Sequence, residues 1–177
     1  MKELGTVRRE LGVRTIFNAL GPLANPAGAA RQMIGVGRLE LVELLSSALA
    51  ALGSERAVVF HSENGLDELV PGVPASGIEV QEGWRRPWRY DPASLAQRRV
   101  EVGELAGGDA AENAGMLERL LEGEEGARRE AVLLNAALAL TVEGSARDLP
   151  EGYERAASAI ANGAAREKLD GLRRPTA

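Results

Sequence analysis

Several residue types are scarce in this 177-residue sequence, and each shortage excludes a class of chemistry. Cysteine is absent, which rules out disulfide bonds, thiolate zinc sites and a catalytic thiol, and agrees with a reducing cytoplasm. Aromatic residues make up only 3%, so the core must be aliphatic. Basic residues are outnumbered, with 21 Lys and Arg against 26 Asp and Glu. Because nucleic-acid binding usually needs a basic surplus, the net charge of −5 predicts no nucleic-acid partner.

Long apolar runs are also missing. No stretch approaches the roughly 18 apolar residues of a membrane span, and the opening "MKELGTVRRELG" lacks the apolar segment of a secretory signal. These absences predict a cytoplasmic protein that does not bind membranes. Hydrophobic residues make up 45% of a chain that is long enough to bury a sizeable core, and no repeat or linker divides it. Residues 1–177 are therefore expected to form a single region.

The order of helix and strand signals predicts an α/β fold. "RQMIGVG" (31–37) has the composition of a strand, and "LELVELLSSALAAL" (39–52) has the apolar stripe of an amphipathic helix. "RAVVF" (56–60) is a short, continuous apolar run of the kind found in buried parallel strands. Strand, helix and strand in close succession predict a βαβ unit.

The rest of the chain has a different texture. Alternating apolar and polar residues at 77–92 predict an antiparallel strand pair with one solvated face. Beyond Gly108 the chain is predicted to be helical, with Asp109 and Asp148 as the N-cap residues of two helices. The predicted fold class is an α/β sheet with flanking helices and a helical C-terminal third.

The sharpest candidate for chemistry is "HSENGLDEL" (61–69). It follows the predicted strand at 56–60, and ligands of open α/β sheets gather at the carboxyl ends of the strands. Glu63, Asp67 and Glu68 concentrate negative charge there, which suits a hard divalent cation such as Mg²⁺ bridging a phosphate substrate. Two other interpretations remain open: a solvated acidic turn, or Asp67 and Glu68 capping the segment that follows.

Other polar residues have structural interpretations that compete with functional ones. His61, the single histidine, could act as a general base, but only Ser62 is nearby as a nucleophile. It is therefore predicted to form a structural hydrogen bond at a strand end. "RRPWR" (85–89) could stack on nucleic acid, but a solvated strand face is favoured. Asn135, among Leu and Ala in a buried helix, is predicted to bond main-chain groups of an adjacent loop. "GGDAAENAG" (107–115) lacks the Lys of a phosphate-binding loop.

The segment "RTIFNALGPLANPAG" (14–28) combines helix-breaking residues with large apolar side chains. Arg8, Arg9 and Arg14 flank or open it. Guanidinium groups match carboxylates and phosphates, so these arginines could hold a small acidic ligand over the Gly-Pro turn. Equally, they could lie on the solvent-exposed surface of a helix and bind no ligand.

The sequence resembles anthranilate phosphoribosyltransferase in several motifs. "VRRELGVRTIFNALGPLANPAGA" and the later "GLDEL" are similar to segments of that family, and "GGDAAENA" and "REAVLLNAALAL" look like its C-terminal half. The resemblance extends over essentially the whole chain. It implies a nucleoside phosphorylase/phosphoribosyltransferase-like sheet. It also implies transfer of phosphoribose from phosphoribosyl pyrophosphate (PRPP) to the amine of anthranilate, with release of pyrophosphate, in tryptophan biosynthesis.

The resemblance also implies roles for particular residues. Arg8 matches the arginine that contacts anthranilate, and Gly21 and Pro22 match the "LGPL" turn beside it. There the backbone is expected to pass close to a flat ligand, where a helix would be in the way. Asp67 and Glu68 match the acidic pair that holds Mg²⁺ near the pyrophosphate of PRPP. No catalytic nucleophile is expected, because this displacement needs charge stabilisation and a positioned amine.

Part of the family pattern is missing from this sequence. The family has an N-terminal helical domain, a Gly-rich "GTGGD" loop for pyrophosphate and a "KHGN" segment, and neither motif occurs here. The chain is therefore expected to be the second half of the family's α/β domain, to need the other half for activity, and to be homodimeric in full-length form. Three alternatives stay open. They are a nucleic-acid-binding paralogue, which the net charge disfavours, a pyrimidine nucleoside phosphorylase, from which "RTIFNALGPLANP" points away, and a structural remnant with an exposed sheet edge.

Overall fold

The computed structural model describes residues 20–95 and 97–173. Within these ranges the helices and strands follow the predicted order. The strands are β1 (Arg31–Gly35), β2 (Arg56–Ser62), β3 (Ala75–Gln81) and β4 (Trp84–Tyr90). The α-helices are α1 (Leu20–Leu23), α2 (Glu40–Ala51), α3 (Ala110–Leu121), α4 (Ala127–Glu143), α5 (Leu149–Ala161) and α6 (Ala164–Arg173). Short 3-10 helices span Pro92–Leu95 and Val102–Leu105.

The four strands form one mixed sheet in the order β1-β2-β3-β4. β1 and β2 run parallel, with Ile34 opposite Val59, and α2 connects them as the predicted βαβ unit. β3 and β4 form the predicted antiparallel pair. β2 also pairs with β3, in antiparallel orientation. The sequence pattern does not specify that pairing, because alternation indicates that a strand exists but not which neighbour it takes.

Helices cover both faces of the sheet, which explains the continuous apolar run in β2. On one face Val59 packs with Leu45 and Leu49 of α2. On the other face Phe60 packs with Leu134 of α4. Each of these five residues is at most 2% exposed. Because full burial of one such side chain stabilises the fold by roughly 1.5–3 kcal/mol, the two layers supply most of the driving force for this region.

The C-terminal third is helical, as predicted, and its helices begin at the predicted caps. Asp109 Oδ1 accepts hydrogen bonds from the backbone N–H groups of Ala111 and Glu112, both at 2.9 Å. Asp148 Oδ1 accepts one from the N–H of Glu151, also at 2.9 Å. Each carboxylate thus satisfies N–H groups that have no partner within the first helical turn.

α4 and α5 pack against each other at unusually close range. A Cβ built on Gly152 of α5 would lie 2.6 Å from the carbonyl oxygen of Ala137 in α4, so only glycine permits this approach. Leu133, Ala156 and Ile160 form the apolar cluster beside it. Within residues 20–95 and 97–173, none of the helices combines the length and apolar character needed to cross a membrane.

The expectation of a non-helical backbone at Gly21 and Pro22 is wrong. Both residues lie in α1, a single helical turn that spans Leu20–Leu23. The fixed φ of proline is compatible with helical backbone, so the Gly-Pro pair does not prevent a helix at these positions.

Both tyrosines of the chain are expected to ionise near pH 12. Burial raises the pKa of Tyr90 to about 12, and burial together with a hydrogen bond to Glu130 raises the pKa of Tyr153 to about 12. An unfolded tyrosine ionises near pH 10. The stability that comes from keeping both phenols neutral is therefore present below pH 10 and is lost as the pH rises from 10 towards 12.

Phenolate absorbance in the ultraviolet measures this ionisation directly. The folded protein should show no phenolate step near pH 10, whereas the same chain unfolded in urea should show one step there for both tyrosines. A step near pH 10 in the folded protein would contradict the prediction for at least one of the two residues.

Candidate active site

The acidic loop, residues 63–68, begins directly after β2 at the carboxyl end of the parallel strands. The N–H of Gly65 donates to the carbonyl of Ser62 at 2.8 Å, and the N–H of Ser62 donates to the carbonyl of Leu66 at 3.3 Å. Asn64 Oδ1 accepts the N–H of Leu66 at 3.2 Å. These bonds make a compact turn, so the predicted position of the loop at a strand end is confirmed.

The acidic loop rests on the end of β1 because Gly35 has no side chain. A Cβ built on Gly35 would lie 1.6 Å from the carbonyl oxygen of Asp67. Any other residue would force the loop away from the strand. The main chain of Asp67 therefore lies where both parallel strands end, although the loop is covalently attached to β2 alone.

Asn135 of α4 fastens the main chain that follows the acidic loop. Its Oδ1 accepts the N–H of Leu69 at 3.0 Å, and its Nδ2 donates to the carbonyl of Leu69 at 2.8 Å and to that of Ala131 at 2.9 Å. Leu69 is fully buried. The structural role predicted for Asn135 is confirmed, and it holds both polar main-chain groups of the residue next to Glu68.

Asn135→Ala should loosen the acidic loop. The substitution leaves the N–H and carbonyl of buried Leu69 unpaired, and such groups cost about 1–3 kcal/mol. We expect the free energy of unfolding to fall by about 2 kcal/mol and amide exchange at Leu69 to accelerate. Urea unfolding and hydrogen–deuterium exchange measure the two effects.

Asn113→Ala is the matched control for this substitution. The Asn113 side chain also accepts and donates, bonding the N–H and carbonyl of Gly108 at 2.9 and 3.0 Å, but in an exposed loop. Asn113→Ala should lower the free energy of unfolding by less than about 1 kcal/mol, since water replaces the lost hydrogen bonds. An equal loss for both variants, or unchanged exchange at Leu69 in Asn135→Ala, would contradict the prediction.

Asp67 and Glu68 are adjacent, exposed acidic residues of the loop. The pKa of Glu68 is raised above its usual value. The main cause is partial burial of the Glu68 carboxyl, and the negative charge of Asp67 adds a smaller contribution. The next element along the chain is the strand β3, so no helix follows for the pair to cap in the segment after the loop. Two like charges held side by side are an arrangement that a divalent cation relieves.

The acidic loop offers too few ligands for a metal site formed by protein alone, but enough for Mg²⁺ that is also bound by a substrate phosphate. In the part of the chain that the structure describes, no group of three or more His, Asp or Glu residues could hold a metal ion. Mg²⁺ commonly binds through one or two carboxylates and takes its remaining ligands from water and substrate phosphates. Asp67 and Glu68 supply such a pair.

An apolar groove of about 450 Å³ borders the acidic loop, between α3 and α4. Leu117 of α3 and Val132 of α4 line it, and each is 42% exposed. Its other lining residues include Leu66, Glu68, Leu69, Leu105 and Met116. Sequence reasoning missed this groove because its walls come from four separate segments, and no local pattern shows that two helices leave a gap between them.

His61 and the basic strand have the structural roles that the sequence predicts. His61 Nδ1 lies 2.7 Å from the carbonyl oxygen of Val36, a hydrogen bond at the end of β2. Residues 84–87 and Arg89 of β4 are exposed, and Arg85 forms an ion pair with Glu43 of α2 at 2.6 Å. Segment 85–89 is therefore largely solvated, with Trp88 turned to the core cluster that contains Phe60.

Gly21 and Pro22 lie in a different part of the described structure from the acidic loop. Pro22 lines a second cavity of about 330 Å³ together with Gln32, near the start of β1, whereas the acidic loop rests on Gly35 at its end. These positions are roughly 10 Å apart along the strand. Arg8 lies outside the described residues. In the described structure Pro22 and Glu68 thus line two separate cavities.

Comparison with known proteins identifies the class to which this sheet and acidic loop belong. The sequence profile of the glycosyl transferase family, a/b domain, matches residues 1–166, so the chain belongs to that family. Within it, the resemblance to anthranilate phosphoribosyltransferase is confirmed. The anthranilate phosphoribosyltransferase of Anaeromyxobacter dehalogenans (strain 2CP-C) is 51% identical over 168 residues, which cover 95% of this chain and 50% of the relative.

Solved structures give the same result. Anthranilate phosphoribosyltransferase from Thermus thermophilus superimposes with a TM-score of 0.86 at 39% identity, covering 96% of this chain and 50% of that one. The Saccharomyces cerevisiae enzyme in complex with PRPP and Mg superimposes with a TM-score of 0.85 at 25% identity, covering 96% and 49%. The same yeast enzyme has been solved in complex with 4-fluoroanthranilate. The chain spans about half the length of the curated relatives it matches.

Proposed function

We propose that this chain is one half of an anthranilate phosphoribosyltransferase. The amine nitrogen of anthranilate bonds to C1 of the phosphoribosyl group, the C1–O bond to pyrophosphate breaks with its electron pair leaving on pyrophosphate, and the amine loses a proton. The observation that carries the proposal is the 51% identity to such an enzyme over 95% of this chain. Because the chain spans half of that relative, the activity is assigned to the complete protein.

In this proposal Asp67 and Glu68 hold Mg²⁺ at the carboxyl end of β2. The yeast relative solved with PRPP and Mg supports both the metal and the phosphate substrate. When bound, Mg²⁺ neutralises negative charge that develops on the departing pyrophosphate. This chain positions the pair, because Gly35 lets the loop rest on β1 and Asn135 fixes the main chain at Leu69.

Arg8, Gly21 and Pro22 contact anthranilate in the same proposal. Their match to the family motif supports the assignment, as does the yeast relative's complex with 4-fluoroanthranilate. A guanidinium group suits the carboxylate of anthranilate in bidentate geometry. Among residues 20–95 and 97–173, no atom lies within 4 Å of a Cβ built on Gly21, which supports room for a flat ring there.

Arg8→Ala should raise the KM for anthranilate by about tenfold or more, since a charge-assisted hydrogen bond contributes roughly 1.5–3 kcal/mol. The KM for PRPP should change much less. Steady-state kinetics of the complete protein measures both constants, and Arg9→Ala serves as the control because it removes the neighbouring guanidinium. A larger change in the KM for PRPP than for anthranilate would contradict the role of Arg8.

The proposed activity is tested by the loss of anthranilate fluorescence on adding PRPP and Mg²⁺. The assay is run with this chain alone, with the other half of a relative alone, and with both. Turnover only in the mixture supports the proposal. No turnover in any arm, with both polypeptides folded and associated, would contradict it.

We also propose that the complete protein is a cytoplasmic homodimer that binds no nucleic acid. The acidic composition of this chain and its lack of cysteine support the location and the absence of a nucleic-acid partner. Resemblance to the family supports the dimer. Light scattering on the complete protein would test the assembly.

A further inference from the structure

Ser62 is a buried hydroxyl residue at the point where β2 ends and the acidic loop begins. It is 0% exposed, so its hydroxyl does not reach solvent and needs a partner inside the protein. That partner is the carbonyl oxygen of Glu68, to which the hydroxyl donates a hydrogen bond. Any effect of this hydroxyl on a bound ligand must therefore pass through the main chain of Glu68.

Ser62 holds the main chain on both sides of Asp67. Its backbone N–H donates to the carbonyl of Leu66 at 3.3 Å, directly before Asp67, and its hydroxyl donates to the carbonyl of Glu68 directly after it. Between these two bonds, the main chain of Asp67 rests on Gly35. Every residue except proline has a backbone N–H, so the bond to Glu68 is what the serine side chain adds at this position.

The hydroxyl acts on the peptide unit that joins Glu68 to Leu69. The carbonyl oxygen of this unit accepts the hydrogen bond from Ser62, and its N–H donates to Oδ1 of Asn135 at 3.0 Å. A peptide unit is planar and its C=O and N–H point in opposite directions, so one bond on each side fixes its orientation. The main chain of Glu68 is therefore fixed from β2 and from α4 before any ligand binds.

This fixation matters because Asp67 and Glu68 are adjacent carboxylates. Like charges repel each other, so without a bound cation the two side chains favour moving apart. Groups that orient metal ligands from behind commonly affect metal affinity although they do not touch the metal. A main chain that is already fixed also reduces the ordering that a cation must impose on the loop when it binds.

We propose that Ser62 is a positioning residue: its hydroxyl fixes the main chain of Glu68 so that Asp67 and Glu68 can share one divalent cation. The inference rests on the proposed function and extends it to a residue that touches neither the cation nor the substrate. Because the hydroxyl acts through the loop, it contributes to metal affinity, and turnover at saturating Mg²⁺ depends on it much less.

Amide exchange tests the hold of Ser62 on the loop without any metal or substrate. Ser62→Ala frees the carbonyl of Glu68, so the peptide unit can turn and break the bond between the Leu69 N–H and Asn135. Amide hydrogen exchange at Leu69, followed by nuclear magnetic resonance on this chain, should become about fivefold faster, as expected for the loss of one hydrogen bond.

Ser46→Ala is the matched control. Ser46 is also 0% exposed, and its hydroxyl also donates to a main-chain carbonyl, that of Glu43 at 3.2 Å. The same oxygen accepts a bond from Arg85 at 3.1 Å, so both partners lie outside the acidic loop. Ser46→Ala thus removes a buried hydroxyl of the same kind, and it should leave exchange at Leu69 unchanged.

The Mg²⁺ requirement of the complete protein tests whether this hold serves the reaction. Ser62→Ala should raise the Mg²⁺ concentration for half-maximal turnover by about fivefold, with a much smaller change in turnover at saturating Mg²⁺. Ser46→Ala should leave the Mg²⁺ requirement unchanged. Loss of a merely structural hydrogen bond would not separate the two variants in this way.

Three results would overturn the proposal. They are unchanged exchange at Leu69 in Ser62→Ala, equal acceleration in Ser62→Ala and Ser46→Ala, and an unchanged Mg²⁺ requirement in Ser62→Ala despite faster exchange at Leu69. A wild-type complete protein without Mg²⁺-dependent turnover would instead contradict the proposed function, because exchange at Leu69 is measured without metal or substrate.

Discussion

Asp67→Asn combined with Glu68→Gln should lower Mg²⁺-dependent turnover of the complete protein by about a hundredfold. Both amides keep the size of the side chains but remove the negative charge that attracts a divalent cation. Since metal ions supply several kcal/mol of stabilisation to a departing charged group, even partial loss of the site has a large effect on rate. The requirement for Mg²⁺ should shift to higher concentration in the same experiment.

Glu63→Gln is the control for this pair, because it removes a third exposed carboxylate from the same loop without touching Asp67 or Glu68. Its effect on turnover should be less than about threefold. Urea unfolding of all three forms separates a loss of activity from a loss of fold. An unchanged rate and Mg²⁺ requirement in the double variant would show that the acidic loop does not hold the metal.

Arg56→Met should destabilise the fold by about 3 kcal/mol. The carboxylate of Glu79 is only 6% exposed, and Arg56 lies 2.9 Å from its Oε1 while Arg86 lies 2.7 Å from its Oε2. Arg56 also donates to the carbonyl of Thr141 at 2.7 Å, near the end of α4. Removing Arg56 leaves the buried carboxylate of Glu79 with Arg86 alone, whose side chain is 67% exposed and screened by solvent, so much of the buried charge is no longer compensated.

Two further variants separate the buried charge from ordinary packing. Arg86→Met should cost less than about 1 kcal/mol, because the Arg86 side chain is 67% exposed and its interaction is screened by solvent. Arg56→Met with Glu79→Leu should recover at least half of the stability lost by Arg56→Met alone, since no charge is then left buried without its partner. Urea unfolding followed by circular dichroism measures all three. A double variant less stable than Arg56→Met would refute the explanation.

Local patterns predicted most of the described elements. The apolar run at 56–60 indicated a buried strand, and Asp109 and Asp148 marked helix starts, because burial and capping act on residues close together in sequence. The Gly-Pro pair at 21–22 misled for the same local reason: it signals a break, but the fixed φ of proline also suits helical backbone.

The candidate site was only partly predictable. The acidic residues stood out because they follow a buried strand, and Asn135 stood out as an amide among apolar residues. The contact between Gly35 and Asp67 and the partner of Asn135 join residues that are far apart in the sequence. Periodicity carries no information about such pairs.

The sequence by itself determined the fold class, the family resemblance and the position of the acidic loop, since these depend on composition, periodicity and motifs. Only the tertiary structure decided that β2 pairs with β3, that Pro22 and the acidic loop border separate cavities, and that α3 and α4 leave an apolar groove. These features depend on how whole elements pack, and packing is decided by shape and burial across the fold rather than by neighbours along the chain.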